Sequence, residues 1–364
     1  MAKSFVRKSP EDKKKQIKEI TDKLDAEISS FVNSDKFKNY LKTMSKFHDY
    51  SFSNTILIAM QKPDATFVSG FRSWETNFNR HVKKGEKGIK ILAPSPVKKM
   101  MEREILDPDT KLPVMDDEGK VKTEKVQVTI PNFHVVTVFD ISSTEGEELP
   151  TIGVDELTGR VNGYTDLIAA VSKVATVPVE YAAIDSGAKG YYSPSEKKIV
   201  VKEGMSELQT LKTLIHETAH NLLHDKDGAV IEGLEDADKK SRNVKEIEAE
   251  AVAFTCVEYI NDMLSRIAPV DADSGKTASI DTSEYSFPYI SSWIGSTDLK
   301  ELKASMDTIR KTASHIIMGI EDFLKERSIE KSSIKDRLVA GKEKSALQST
   351  KVNIEKGSKD LMLA

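Results

Sequence analysis

The chain has 364 residues, 38% hydrophobic and 31% charged, with a formal net charge of −4; single cores usually stop growing below that length, so more than one domain is expected. With a mean hydropathy of −0.40 and no apolar run near the roughly 18 residues of a bilayer span, a membrane helix is excluded, and the charged start Met1-Ala2-Lys3-Ser4-Phe5-Val6-Arg7-Lys8 shows no signal-peptide core, so the chain reads as cytoplasmic. A single cysteine, Cys256, excludes an internal disulfide and reads as a buried small hydrophobe in an apolar helical pattern.

Ser9-Pro10-Glu11-Asp12 is a helix start with a cap, proline at the first position and early acids, followed by Ile17, Ile20, Leu24, Ile28 and Phe31 at helical spacing. Helical periodicity continues from Phe37 to Phe47 and from Phe52 to Gln61, and Lys62-Pro63-Asp64 stops it. The texture then changes to short β-branched or alternating runs: Thr66 to Phe71, Gly88 to Pro94, Val126 to Ile130 and Phe133 to Phe139. These predict a small sheet behind a helical front, with Asp107 to Lys125 as a charged, mobile excursion and Ser142 to Pro150 as a polar connection. In the second half, Val161 to Val174 reads as a helix, Val177 to Tyr181 as a strand, and Gly190-Tyr191-Tyr192 with Lys198 to Val201 as a hairpin. Ser206 then caps a helix running through Leu211, Leu214 and Ile215. Ala268 to Ser283 reads as a loop, Asp298 to Lys325 as an amphipathic helix, and the lysine-rich end as helix fragments or disorder. The fold class expected is α+β. A helical plus small-sheet domain over 1–145 precedes a zincin-like domain with a helical extension over 152–325, and 326–364 form a charged tail.

The chemistry concentrates in His216-Glu217-Thr218-Ala219-His220. Side chains four apart on a helix lie one turn above each other, so His216 and His220 can offer two imidazole nitrogens to one zinc ion, with Glu217 as general base on a bound water. The bland reading of five such residues is a surface helix carrying two histidines. A hydrolytic site needs a third protein ligand, and the following helix carries Glu246, Glu248 and Glu250. Glu250 is the expected ligand, because Ile247, Ala251 and Phe254 would face inward and leave it on the flank with Glu246. Glu246 is the rival ligand or a partner to a bound histidine, and Glu248 is expected to point to solvent. His224 lies about 12 Å along the axis from His216, too far for the same ion, and reads as structural. The Gly190 to Val201 hairpin could form an edge along which a peptide lies.

Charge is divided between the halves. Arg72, Arg80, Lys83, Lys84, Lys87, Lys90, Lys98, Lys99 and Arg103 face only Glu75, Glu86 and Glu102 in their stretch, whereas acids dominate from Glu232 to Glu250. Trp74 beside Arg72, and the glycine-hinged loop with Arg80, Lys83, Lys84, Lys87 and Lys90, combine aromatic faces with cations in a way suited to phosphate contacts and base stacking on single strands. The plain alternative is a solvated turn with Trp74 in a small core.

Ser53-Asn54, Leu57-Ile58, Gln61, Pro63 to Thr66, Gly70-Phe71, Trp74, Val82 to Ile89, and later Val138 to Ile141 with Thr144-Glu145-Gly146, resemble the N-terminal single-stranded-DNA-binding domain of ArdC-type antirestriction proteins. His216 to His220 and Glu250 to Phe254 resemble ImmA/IrrE and LtrC-like zinc metallopeptidase domains of conjugative elements, and Ser286 to Ile290 with Trp293 are similar to the LtrC-like continuation. The resemblance implies carriage on a mobile element, binding of single- or double-stranded DNA by the first domain, protection of incoming DNA from restriction, and zinc with a protein substrate for the second. A DNA-binding protein that protects sterically around a structural zinc, and a protease acting on a repressor of the mobile element, are the alternative functions. The longer charged excursion at Asp107 to Lys125 and the C-terminal extension depart from the ArdC pattern.

Overall fold

In the computed structural model the described residues are 9–32, 34–117, 119–149, 160–225, 231, 240–267, 293–295 and 297–327. They fall into two compact units, the first of Met1–Ser30 and Tyr50–Glu147, the second of Phe31–Asp49 and Glu148–Ala364. Helices and strands alternate without the βαβ regularity of a parallel sheet, the α+β class expected.

The first unit opens with helix α1 (Pro10–Ser29), where Ser9 and Asp12 exchange side-chain and backbone bonds in a capping box. Helix α3 (Phe52–Gln61) buries Phe52, Ile56, Leu57 and Ile58. It packs against strand β3 (Ile89–Pro94), which pairs with β6 (Phe133–Asp140), itself paired with β1 (Val68–Gly70), giving the order β1-β6-β3. The outer edge of β3 is covered by side chains. Asn54 donates to Leu92 O and accepts from Leu92 N, both at 2.9 Å, and Gln61 does the same with Lys90, both at 2.9 Å. Two amides seven residues apart on α3 thus imitate a fourth strand and close an edge that would otherwise invite pairing. Helix α4 (Phe71–Phe78) places Trp74 in the core, and β2 (Arg80–Val82) pairs with β7 (Thr144–Gly146).

The excursion at Asp107 to Lys125 extends a two-stranded ribbon of β4 (Val97–Glu104) and β5 (Thr123–Ile130), with further bridges Leu106 to Pro113 and Met115 to Val121. β4 carries Lys98, Lys99, Glu102, Arg103 and Glu104 and so hides its strand character in sequence. Its regularity comes from cross-strand partners such as Val97 to Ile130 and Met101 to Val126.

The second unit gathers α5 (Arg160–Val174), a three-stranded sheet, and helices α6 (Glu207–His224), α7 (Arg242–Ile267) and α8 (residues 299–327). In the sheet, β10 (Lys198–Lys202) lies between β8 (Val179–Ala182), parallel to it, and β9 (Gly190–Ser193), antiparallel to it. Ile199, Val200 and Val201 are at most 3% exposed, as expected of a central strand covered on both faces. β9 runs close to α6: a side chain at Gly190 would meet Thr213 at 2.6 Å and the Val200 carbonyl at 3.0 Å, so the approach requires glycine.

Helix α2 (Ser34–Lys46) differs from the expectation that everything before residue 145 forms one domain: residues 31–49 belong to the second unit. Phe37, Leu41 and Met44 are fully buried, α2 packs on α7, and Lys42 reaches Glu258 at 3.8 Å. An amphipathic pattern identifies a helix and its apolar face without saying which surface covers that face. The readings of Ala268 to Ser283 as a loop, of Ser286 to Ile290, and of the tail beyond 327 lie outside the described residues. No helix among the described residues is long and apolar enough to cross a membrane.

Candidate metal centre and basic surface

Helix α6 starts at the Ser206 cap and buries Leu211, Leu214, Ile215 and Ala219, which leaves His216, His220 and His224 in a row on successive turns. Helix α7 packs against it, burying Ile247, Ala249, Ala251, Val252 and Phe254. The helix pair brings His216, His220 and Glu246 together, with one ligating atom from each within 4.8 Å of the others. The Nε2 atoms of His216 and His220 are 3.1 Å apart, and Glu246 Oε2 lies 3.5 Å from His220 Nε2 and 3.8 Å from His216 Nε2. Ligands of a tetrahedral ion at about 2.0–2.1 Å are separated by about 3.3 Å. All three edges are close to that length, and two imidazoles with one carboxylate are the donor set of a hydrolytic zinc site.

Glu250, the expected third ligand, occupies a different place. Its Oε2 lies 3.2 Å from Nδ1 of His216, on the far side of the ring from the Nε2 cluster. Glu246 and Glu250 do share a flank of α7, but the turn nearest both Nε2 atoms is the earlier one, so the carboxylate that joins the cluster of candidate ligand atoms is that of Glu246, while Glu250 lies against the other ring nitrogen of His216. Glu248 is not solvated: it is 0% exposed.

The electrostatics of the metal-free cluster follow from this packing. Burial works against charge on His216, but its hydrogen bonds to the accepting carboxylates of Glu246 and Glu250 raise its pKa to about 10. Burial pushes His220 down, against the pull of Glu246, and the two histidines hold Glu246 well below the usual carboxylate range. Glu217 is 7% exposed. Burial raises its carboxyl, while the charge on His216 and the backbone N–H of Tyr192 in β9 oppose the rise. Cys256 is fully buried and its thiol is pushed up by desolvation, which leaves it inert.

The basic segment divides into side chains already committed to the fold and side chains open to solvent. Trp74, the expected stacking ring, is 0% exposed, and its indole N–H donates to Phe139 O at 3.0 Å. A ring with no free face cannot stack a base, so Trp74 is a core residue. Arg80 is committed to the β2–β7 ribbon, donating to Thr144 Oγ1 at 2.9 Å and to the carbonyls of Gly146 and Glu147. Lys83 donates to Ser142 O at 3.0 Å. Arg72, Lys84, Lys87 and Lys90 are exposed. The aromatic side chain open to solvent in this stretch is Phe71, 49% exposed, with its ring 6.1 Å from that of Phe139.

Residues 14–139 match the family model described as the N-terminal domain of anti-restriction factor ArdC, and residues 175–257 match the IrrE N-terminal-like domain of the M78 peptidases. An uncharacterized protein of Bacillus anthracis is 27% identical over 374 residues, covering 92% of this chain; the chain spans 56% of that protein. Among solved structures, the metal-free antirestriction protein ArdC of plasmid R388 is 20% identical, covers 77% of this chain and 86% of its own, and superposes with a TM-score of 0.37. The Mn(II)-bound form of the same protein gives 16% identity, 79% and 97% coverage, and a TM-score of 0.35. The two domain matches, in this order along one chain, assign residues 14–139 to an ArdC-type N-terminal domain and residues 175–257 to an IrrE-like domain.

Proposed function

We propose that this chain is a DNA-associated zinc metallopeptidase of a mobile element, and that it protects incoming DNA from restriction. The observation that carries the enzymatic part is the His216, His220 and Glu246 triad at tetrahedral spacing, with the buried carboxyl of Glu217 on the adjoining residue. When bound, zinc supplies Lewis-acid polarisation and a water acidic enough to lose a proton near neutral pH. His216, His220 and Glu246 would hold the ion. Glu217 accepts the proton at its carboxylate and returns it to the leaving amine, and the Tyr192 N–H fixes the orientation of that carboxylate. β9 is one of the two edge strands of its sheet and lies against α6, so an extended peptide can pair along it beside Glu217.

The DNA part rests on exposed cations and one exposed ring. Arg72, Lys84, Lys87 and Lys90 supply phosphate contacts, and Phe71 supplies a stacking face, a combination suited to single strands irrespective of sequence. The antirestriction role follows the description of the family matched by residues 14–139.

Glu217→Gln tests the two parts together. Zinc content and single-strand affinity stay at wild-type levels, while peptidase activity on a casein or peptide-library substrate is lost. If the variant protects transformed DNA as well as the wild type does, protection is steric and the peptidase reading of the antirestriction role is overturned.

A further inference from the structure

The β1-β6-β3 sheet of the first unit has two faces of opposite character. β6 turns Val138 and Asp140 inward, 6% and 2% exposed, and β3 buries Ile89 and Ile91 on the same side. Alternation along a strand puts Phe133, Val135, Thr137 and Phe139 on the other face of β6. Residues directly opposite across a ladder share a face, so Lys90, the partner of Thr137, and Leu92, the partner of Val135, lie there too. This face meets solvent: Phe133 is 47% exposed, Thr137 and Lys90 are exposed, and Val135, Leu92 and Phe139 are half-buried.

Rings and charge identify its occupant. Phe71, 49% exposed, packs its ring 6.1 Å from that of Phe139 at one end of the face. Phe133 stands at the other end, six residues and so about 20 Å along β6. Gly88 brings the basic turn onto the same face, because a Cβ there would meet Thr137 Cγ2 at 2.1 Å and Phe139 Cζ at 3.0 Å. Ser143 anchors that turn: its hydroxyl donates to Glu86 at 2.8 Å, and its carbonyl accepts from the Lys83 N–H at 3.0 Å. The cations Lys84 and Lys87 therefore enter at the Phe139 end, and Lys90 lies between the two groups of rings. Asn54 and Gln61 already occupy the outer edge of β3, so a peptide cannot add there as a further strand. Exposed rings with cations between them suit unstacked bases and their phosphates, whereas the bases of a duplex are stacked on one another and offer no free faces.

We propose that this face is a platform along which single-stranded DNA runs parallel to β6, with room for about three bases. One base stacks on Phe71, which Phe139 backs, another stacks on Phe133, and Lys90 contacts the phosphates between them. The proposal rests on the reading of the first unit as DNA-binding and adds to it a path, a length and a second stacking ring.

The test is photocrosslinking of the full-length chain to thymidine oligomers of about 12 nucleotides, a length within the range such sites cover. Each oligomer carries one iodouracil, and the crosslinked residue is read by mass spectrometry. Crosslinks are expected at Phe133 and at Phe71 or Phe139. Phe133→Ala weakens binding of the unmodified oligomer about 5- to 140-fold, the range for one stacked base, with the salt slope unchanged, and Phe133→Trp restores it. A duplex of the same length binds more weakly than the single strand. Tight single-strand binding with no crosslink at Phe133 and full affinity in Phe133→Ala overturns the platform and leaves the DNA reading standing. Equal affinity for the duplex overturns it too. A wild-type chain that binds neither form removes the DNA reading itself. If Phe133→Ala does not fold, the wild-type crosslinks decide.

Discussion

The basic stretch of the first unit and the histidine helix of the second use their polar side chains in opposite ways. In the first, Arg80, Lys83, Asn54 and Gln61 are bonded to backbone groups of their own unit, finishing ribbon and sheet edges. In the second, side chain meets side chain: His216 with Glu246 and Glu250, His220 with His224, and Glu248 with Lys240 and Ser305. A cation or amide near a free strand edge is first claimed by the backbone, since an unpaired buried peptide group is costly. Ligating side chains facing each other across a helix pair have no backbone groups to serve, because both helices satisfy their own.

The largest effect that separates the two regions is at Trp74. Trp74→Ala destabilises the chain by about 3–5 kcal/mol, read by denaturant unfolding, as expected for a core ring. Loss of single-strand affinity at unchanged stability would restore it as a DNA contact. Phe71→Ala does the converse: stability is nearly unchanged, and single-strand affinity drops by about 1–3 kcal/mol in a binding titration. Lys84→Ala with Lys87→Ala lowers the salt slope by about 0.7 for each DNA phosphate that is no longer neutralised, whereas Arg80→Ala acts mainly on unfolding.

A smaller, graded effect is expected with pH. In the metal-free protein His216 is raised to about 10, burial opposing and the two glutamates overcoming it. The protonated form therefore stabilises the fold fully below the unfolded value near 6.5, and that contribution is lost as pH rises toward 10. Zinc must displace this proton, so its affinity moves the other way, rising about tenfold per pH unit through the same window. Unfolding of chelator-treated protein and zinc titrations at pH 7 and 9 measure both signs; equal values at the two pH settings would contradict the proton assignment.

What could be read in the sequence follows the same division. His216 and His220 were legible because helix geometry alone puts positions four apart on one face. The third ligand was not: Glu246 and Glu250 are both on the right flank, and the choice between them depends on how α6 and α7 pack. Glu248 reads as solvated among charged neighbours, yet it is buried because Lys240 and Ser305, 8 and 57 residues away, complete its surroundings. Trp74 and Phe71, three apart on the same short helix, lie toward one side of it, and only tertiary packing decides that the first is buried and the second exposed. Helix α2 shows the same limit at the scale of a unit.

The central claim is that Glu246 closes the metal triad while Glu250 holds His216 from behind. Zinc titration of Glu246→Ala beside Glu250→Ala tests it most directly. The account predicts that Glu246→Ala loses stoichiometric zinc, and that Glu250→Ala keeps it with affinity lowered about 10–100-fold. Retention of tight zinc by Glu246→Ala, with its loss in Glu250→Ala, would contradict it.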